Sequence, residues 1–195
     1  MVVWLRRLAV TVTAACLLAG CQPTAPPSPV PTPSFRCTPE AGGPEFDCTP
    51  RQHDDMVAKD QLYAEAEAVY RKFLAEDARI LRAGGATRAT PVLLETTSGE
   101  FLTNVLENYK ALAGREVVAK GHDPALVYFK RAPGRSKTGS EVSADVCVDG
   151  NSLEFFKSGR SLGRGKSARD ETYFAHVDGV LKIIGADGSQ VKSCN

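Results

Sequence analysis

Val142-Ser-Ala-Asp-Val-Cys-Val-Asp149 alternates with a period of two. Val142, Ala144, Val146 and Val148 fall on one face, while Ser143, Asp145 and Cys147 fall on the other. Successive side chains of a strand point to opposite sides, so the pattern predicts a strand over 141–149 with one face on a core. Asp149-Gly150-Asn151 has the residues of a tight hairpin turn and leads into a strand over 152–157. Further along, strands over 171–177 and 180–184 flank Asp178-Gly179, a second hairpin signal. Residues 185–195 add a last short strand segment. Upstream, 115–120 and 125–131 read as strands broken by His122-Asp123-Pro124.

Before Gly114 the period lengthens. From Asp54 to Arg82 the apolar residues are Leu62, Ala66, Val69, Tyr70, Phe73, Ile80 and Leu81, the spacing of one helix face. Lys59, Asp60, Glu65, Glu67, Arg71 and Lys72 fill the opposite face, and Gly84-Gly85 stops the helix. Thr97 and Glu100 have the spacing of a capping box for a second helix. Its stripe is Phe101, Leu102, Val105, Leu106, Tyr109 and Leu112, and Gly114 ends it. Residues 89–96 predict a short helical turn. Helices first and a strand meander after them indicate an α+β fold.

Two helices ahead of a curved antiparallel sheet resemble the NTF2-like (SnoaL-like) cone fold. Val142 to Gly150 corresponds to its long central strand. Asp170 to Gly179, with Val180 to Ile184, corresponds to its final hairpin. Many actinobacterial extracytoplasmic members begin the second strand of that hairpin with tryptophan; Val180-Leu181 stands there in this chain. The resemblance spans residues 54–195 and implies helices packed on a curved antiparallel sheet. A cystatin-like helix-on-sheet fold shares the same order of elements. The cone fold hosts isomerases, dehydratases and non-catalytic binding modules, so the fold alone assigns no reaction.

The N-terminus carries an address. Arg6 and Arg7 precede an uncharged run of 13 residues, Leu8 to Gly20. That run is shorter than the roughly 20 residues needed to span a bilayer and has the length of a signal-peptide core. It closes in Leu18-Ala19-Gly20-Cys21, which resembles the lipobox of bacterial lipoproteins. The resemblance implies cleavage after Gly20, a diacylglyceryl group and palmitate-type acylation on Cys21, and anchoring at the extracytoplasmic face of the cell membrane. Two acyl chains hold stably because each buried CH₂ contributes about 0.8 kcal/mol. Six of the 13 residues at 22–34 are proline. Such a segment stays extended and reaches on the order of 40 Å at about 3.1 Å per residue. The organisation expected is therefore a signal peptide at 1–20, a lipidated Cys21 with a proline-rich linker to 34, a disulfide lasso at 35–52, and an α+β domain at 53–195.

A formal net charge of +1 gives no basic excess of the kind that binds nucleic acid. Once Cys16 and Cys21 are set aside, Cys37, Cys48, Cys147 and Cys194 remain. An even number in an exported chain suggests disulfides. Of three connectivities, Cys37–Cys48 with Cys147–Cys194 is favoured, because the first pair flanks a turn-rich segment and the second ties the C-terminal end to a central strand. There is no CxxC or HxxxH spacing for a metal, and no cofactor is expected.

Candidate chemistry is sparse. His53 precedes the long helix, His122 sits in a turn, and His176 shares strand parity with Phe174. If that face lines a cavity, His176 is a possible ligand contact. Tyr63, Tyr70, Tyr109 and Asp145 are the formal candidates for a cone-pocket acid and tyrosine, and nothing in their spacing selects among them. There is no Gly-x-Ser-x-Gly, and Gly163-Arg-Gly-Lys-Ser167 lacks the opening glycine of a phosphate loop. Lys130, Arg131, Arg135, Lys137, Lys157, Arg160, Arg164, Lys166 and Arg169 concentrate in two loops and their flanks. Together these loops would make a basic end suited to anionic headgroups or an acidic envelope polymer.

The function expected is a membrane-anchored, non-enzymatic binding or interaction module of the cell envelope, with an envelope protein or small ligand as partner. A cone-pocket enzyme is the second class and predicts a deep cavity with a buried carboxylate. A phage- or prophage-encoded lipoprotein that excludes superinfection is the third.

Overall fold

The computed structural model describes residues 34–194. The leader, the lipobox with Cys21, and residues 22–33 of the tether lie outside the described residues. In chain order the elements are β1 (Phe35–Cys37), β2 (Phe46–Cys48), α1 (Pro50–Arg82), α2 (Pro91–Thr96), α3 (Gly99–Arg115) and β3 (Val117–Gly121). Then come β4 (Ala125–Arg131), β5 (Val142–Asp149), β6 (Leu153–Lys157), β7 (Arg160–Arg164), β8 (Ser167–Val177) and β9 (Val180–Val191). The fold is α+β, with helices on antiparallel sheet.

The lasso is a two-stranded ribbon, β1 against β2, closed by a Cys37–Cys48 disulfide with Cα atoms 5.9 Å apart. It feeds straight into α1, which begins at Pro50 rather than Asp54. The start signal is Thr49-Pro-Arg-Gln52. Thr49 Oγ1 accepts from Gln52 N, and Gln52 Oε1 accepts from Thr49 N at 2.9 Å, a complete capping box with proline in the first turn. Gly84-Gly85 ends the helix as expected. Gly85 has φ +97°, and a Cβ there would fall 2.2 Å from the Tyr109 carbonyl, so both conformation and space demand glycine.

The box expected at Thr97 and Glu100 does not form. Thr97 is buried as the C-terminal cap of α2, its hydroxyl donates to the Leu93 carbonyl, and it bridges Ile183 of β9. Tertiary contacts claim the residue that local spacing offers to α3. The α3 helix also runs through Gly114 to Arg115 and ends on Glu116 at φ +57°.

The main sheet has the order β4-β5-β8-β9, all antiparallel. Bulges between Leu126 and Tyr128 and between Tyr173 and Phe174 bend its strands. Its inner face presents Val142, Ala144, Val146, Phe174, Leu181 and Ile183 to Tyr63, Ala66, Tyr70, Phe73 and Ile80 of α1, with Leu93 and Tyr109 completing the core. Residues 132–140 cross the outer face, where Ser143 Oγ lies 2.8 Å from the carbonyls of Ala132 and Arg135. The Cys147–Cys194 disulfide covers the same face further along.

The strands after β5 depart from expectation. Asp149-Gly150-Asn151 is a corner, not a hairpin, because β6 leaves the main sheet and pairs with β3 and β7 in a second sheet. Asp149 Oδ1 accepts from Asn151 N, fixing the corner, and residues 165–167 cross directly over it. A Cβ on Gly150 would lie 2.7 Å from the Lys166 carbonyl, and one on Gly165 would lie 2.3 Å from the Gly150 carbonyl. The glycines of 163–167 therefore serve this crossing. The true hairpin is β6–β7, through Ser158 at φ +49° and Gly159 at φ +80°. The stretch 185–195 is no separate segment: β9 continues unbroken from Val180 to Val191 and pairs with β8 from Ser167 onward.

Candidate functional site

The alternation of β8 sets Asp170, Thr172 and Phe174 in one phase. Phe174 fills the core, and Thr172 is fully buried. Thr172 lies in register between Ala144 and Ala186, whose small side chains leave room beside it. Asp170 is in register with Val146 and Gly188, and a Cβ on Gly188 would collide with Asp170 Oδ1. From α1, Tyr70, Phe73, Leu74 and Asp77 face the same space, and Phe101 of α3 closes one side. Together these residues bound a cleft of about 240 Å³ between the helices and the main sheet. A second hollow of about 360 Å³ shares Leu74, Asp77, Val148 and Ala168 with it and is rimmed by Arg164 and Lys166.

Four polar groups distinguish this cleft. Asp77 accepts a 2.6 Å hydrogen bond from the Tyr109 hydroxyl. Burial pushes the Asp77 carboxyl above the usual carboxylate range, against the pull of that bond. Burial alone pushes Asp170 the same way, with no offsetting cation among the described residues. Burial, then the charges of Asp170 and Asp77, raise the Tyr70 phenol. Thr172 Oγ1 is the one buried side-chain polar atom without a hydrogen-bond partner among the described residues.

Of the tyrosines named from sequence, Tyr70 lines this cleft, and Tyr109 meets it only through its hydrogen bond to Asp77. Tyr63 instead donates to Glu40 at 2.7 Å, under the Arg131 guanidinium. Asp145 lies on the outer face in a two-pronged pair with Arg169. His176 lies past the core edge, where its Nδ1 is 2.9 Å from Glu141 Oε2 and its backbone N–H donates to Glu141 Oε1. It lines none of the described clefts. His53 packs on the Phe35 ring at 4.6 Å. Asp77, Asp170 and Thr172 escaped the sequence reading, though a signal was present. Asp77 falls on the helical stripe Tyr70-Phe73-Leu74-Leu81, and Asp170 and Thr172 are in phase with Phe174. A polar residue at a core position is the mark of a site.

The nine basic residues divide into two groups. Arg131 pairs with Asp60, Arg135 with Glu171, Arg169 with Asp145, and Lys137 lies between Glu100 and Asp187. Lys130 sits over the Tyr128 ring. Lys157, Arg160, Arg164 and Lys166 are exposed on and beside the β6–β7 hairpin. The residues of the first loop are thus largely neutralised by carboxylates.

The two disulfides mark a chain suited to an oxidising, extracytoplasmic compartment. No helix among the described residues is long and apolar enough to cross a membrane. No protein-family model matches the chain, and no curated protein matches it. Among solved structures it is similar to the crystal structure of the intermembrane space region of the chloroplast protein ARC6, at 18% identity and a TM-score of 0.42, over 66% of this chain and 95% of that one. It is also similar to the solution NMR structure of a de novo β-sheet design, at 18% identity and a TM-score of 0.34, over 69% and 92% of the two chains.

Proposed function

We propose that the protein is a lipoprotein anchored through Cys21 to the extracytoplasmic face of the membrane, and that its α+β domain is a non-enzymatic binding module. Helices ahead of a bent antiparallel sheet support an NTF2-like affinity. The ligand enters the cleft between α1, α3 and the main sheet. The observation that carries this reading is the unpartnered Thr172 hydroxyl at the cleft wall. Leaving a buried hydroxyl unpaired costs about 1–3 kcal/mol, and a ligand recovers it by drawing the hydroxyl toward the cleft, since Oγ1 itself is closed off from water.

The anchor is tested with Cys21→Ala, which should move the protein from the membrane to the soluble fraction; unchanged acylation and membrane retention would end the lipobox reading. The cleft is tested by screening small molecules against the mature protein by NMR. Hits should shift the Thr172 and Ala186 methyl signals and be lost in Ala186→Phe, which fills the cleft. Hits that bind elsewhere in both proteins would refute the site.

The Tyr109–Asp77 hydrogen bond favours a second reading, an acid–base enzyme in the same cleft. A carboxyl held above its usual range is a competent general acid, and burial tunes it that way. Under that reading a ligand of the cleft is turned over, and Asp77→Asn abolishes turnover while leaving binding. A ligand recovered unchanged after long incubation supports the binding module.

A further inference from the structure

The walls of the cleft combine features that fit one chemical class. Tyr70, Phe73 and Phe101 contribute aromatic rings, with Phe73 and Phe101 edge to face at 5.3 Å and Tyr70 and Phe73 at 6.1 Å. Asp77 and Asp170 contribute two carboxylates to the same walls. Among the described residues no side chain makes a hydrogen bond to Asp170, and the Tyr109 hydroxyl is the partner of Asp77. Thr172 adds a fully buried, unpartnered hydroxyl. Ring faces carry negative potential and attract cations, and the attraction grows when the cation is desolvated. Each carboxyl adds to that field when ionised, and a bound cation favours the ionised form against the burial that otherwise raises both groups. An anion would meet both carboxylates. A purely apolar ligand would leave Asp170 and the Thr172 hydroxyl without partners.

We propose that the cleft binds an organic ammonium: a protonated amine or quaternary ammonium whose apolar substituents lie on Tyr70, Phe73 and Phe101, whose charge faces Asp170 and Asp77, and whose hydroxyl or other polar end reaches Thr172. This inference rests on the cleft-binding reading above and names its ligand class. Arg164 and Lys166, at the rim of the adjoining hollow, would meet any anionic group carried at the far end of such a ligand.

The test is a matched series on the mature chain in detergent, followed by NMR and calorimetry. The probes are choline, its neutral carbon isostere 3,3-dimethylbutan-1-ol, and 3,3-dimethylbutanoate. Choline should shift the Thr172 and Ala186 methyl signals and bind at least about tenfold more tightly than the neutral isostere, a difference of roughly 1.4 kcal/mol. Asp170→Asn should remove that preference while leaving the weak binding of the isostere. Equal binding of choline and the isostere at the cleft would overturn the ammonium class and leave the binding module standing. Tightest binding of the carboxylate would overturn it as well. If none of the three shifts a cleft methyl at millimolar concentration, the ammonium proposal falls, while the cleft reading stands or falls on the small-molecule screen with Ala186→Phe.

Discussion

The Tyr109 hydroxyl donates to Asp77 Oδ1 at 2.6 Å, so one hydrogen bond joins α3 to α1 at the edge of the cleft. The two residues are 32 apart in sequence; Tyr109 is buried and Asp77 is half-buried. The bond is charge-assisted when Asp77 is ionised, and it holds the carboxylate in place. Tyr109→Phe should cost about 1–3 kcal/mol in urea unfolding. It should also raise the Asp77 carboxyl further, since the one favourable partner is lost while burial stays. A loss no larger in wild type than in an Asp77→Asn background would show that the bond contributes nothing.

How far the chain discloses this arrangement depends on the range of each signal. The stripe of Tyr70, Phe73 and Ile80 is local, and so is the period of Val142 to Val148; both elements form there, with α1 starting at Pro50 ahead of the expected Asp54. The Asp178-Gly179 turn is local too, with φ +54° and +77°. Sheet partnership is not local. Asp149-Gly150-Asn151 has hairpin composition, yet the crossing of 165–167 over Gly150 turns it into a corner between two sheets. Thr97 has cap chemistry, but Ile183 and Leu93 take it. The cleft is hidden for the same reason: Asp77 and Asp170 are 93 positions apart in the chain, and only the packing of α1 on β8 brings them to one cavity.

The two disulfides should differ in worth. Cys37–Cys48 spans a separation of 11 residues and Cys147–Cys194 spans 47. The chain-entropy model gives roughly 3 kcal/mol for the first and roughly 4 kcal/mol for the second. Cys147 is also fully buried on the outer face of the central strand, so its loss disturbs packing as well. Paired serine substitutions, compared by chemical denaturation, should therefore be more damaging at 147 and 194. Equal destabilisation would show that loop length does not govern here.

His176 offers an independent reading of electrostatics away from the cleft. Its hydrogen bond with Glu141, and then the charge of Glu141, raise the imidazole above its ordinary value despite some desolvation. A histidine with a raised folded value contributes stability below the unfolded value of about 6.5 and loses it as pH rises through the folded value. Glu141→Gln should bring the His176 titration, followed by its ring proton shifts, down toward about 6.5. An unmoved midpoint would mean that the pair is not maintained in solution.

Asp170 should show a conflict between stability and binding. Its folded value is raised by burial, so the protonated form is the one the fold prefers. For such a group the stabilising contribution is complete below the unfolded value of about 3.9 and is lost as pH rises through the folded value. As pH rises past that window, charging the carboxyl works against folding. Asp170→Asn keeps the shape and removes the charge, so it should stabilise the protein near pH 7 relative to the wild type. The advantage should shrink as pH falls and vanish near pH 3, in thermal unfolding followed across that range. Gly188 constrains the alternative: a Cβ there would collide with Asp170 Oδ1, so Gly188→Ala should displace the carboxylate and destabilise the chain. A destabilised Asp170→Asn at pH 7 would mean that the carboxylate has a partner within the fold, and the cleft would lose its reason to seek a cation.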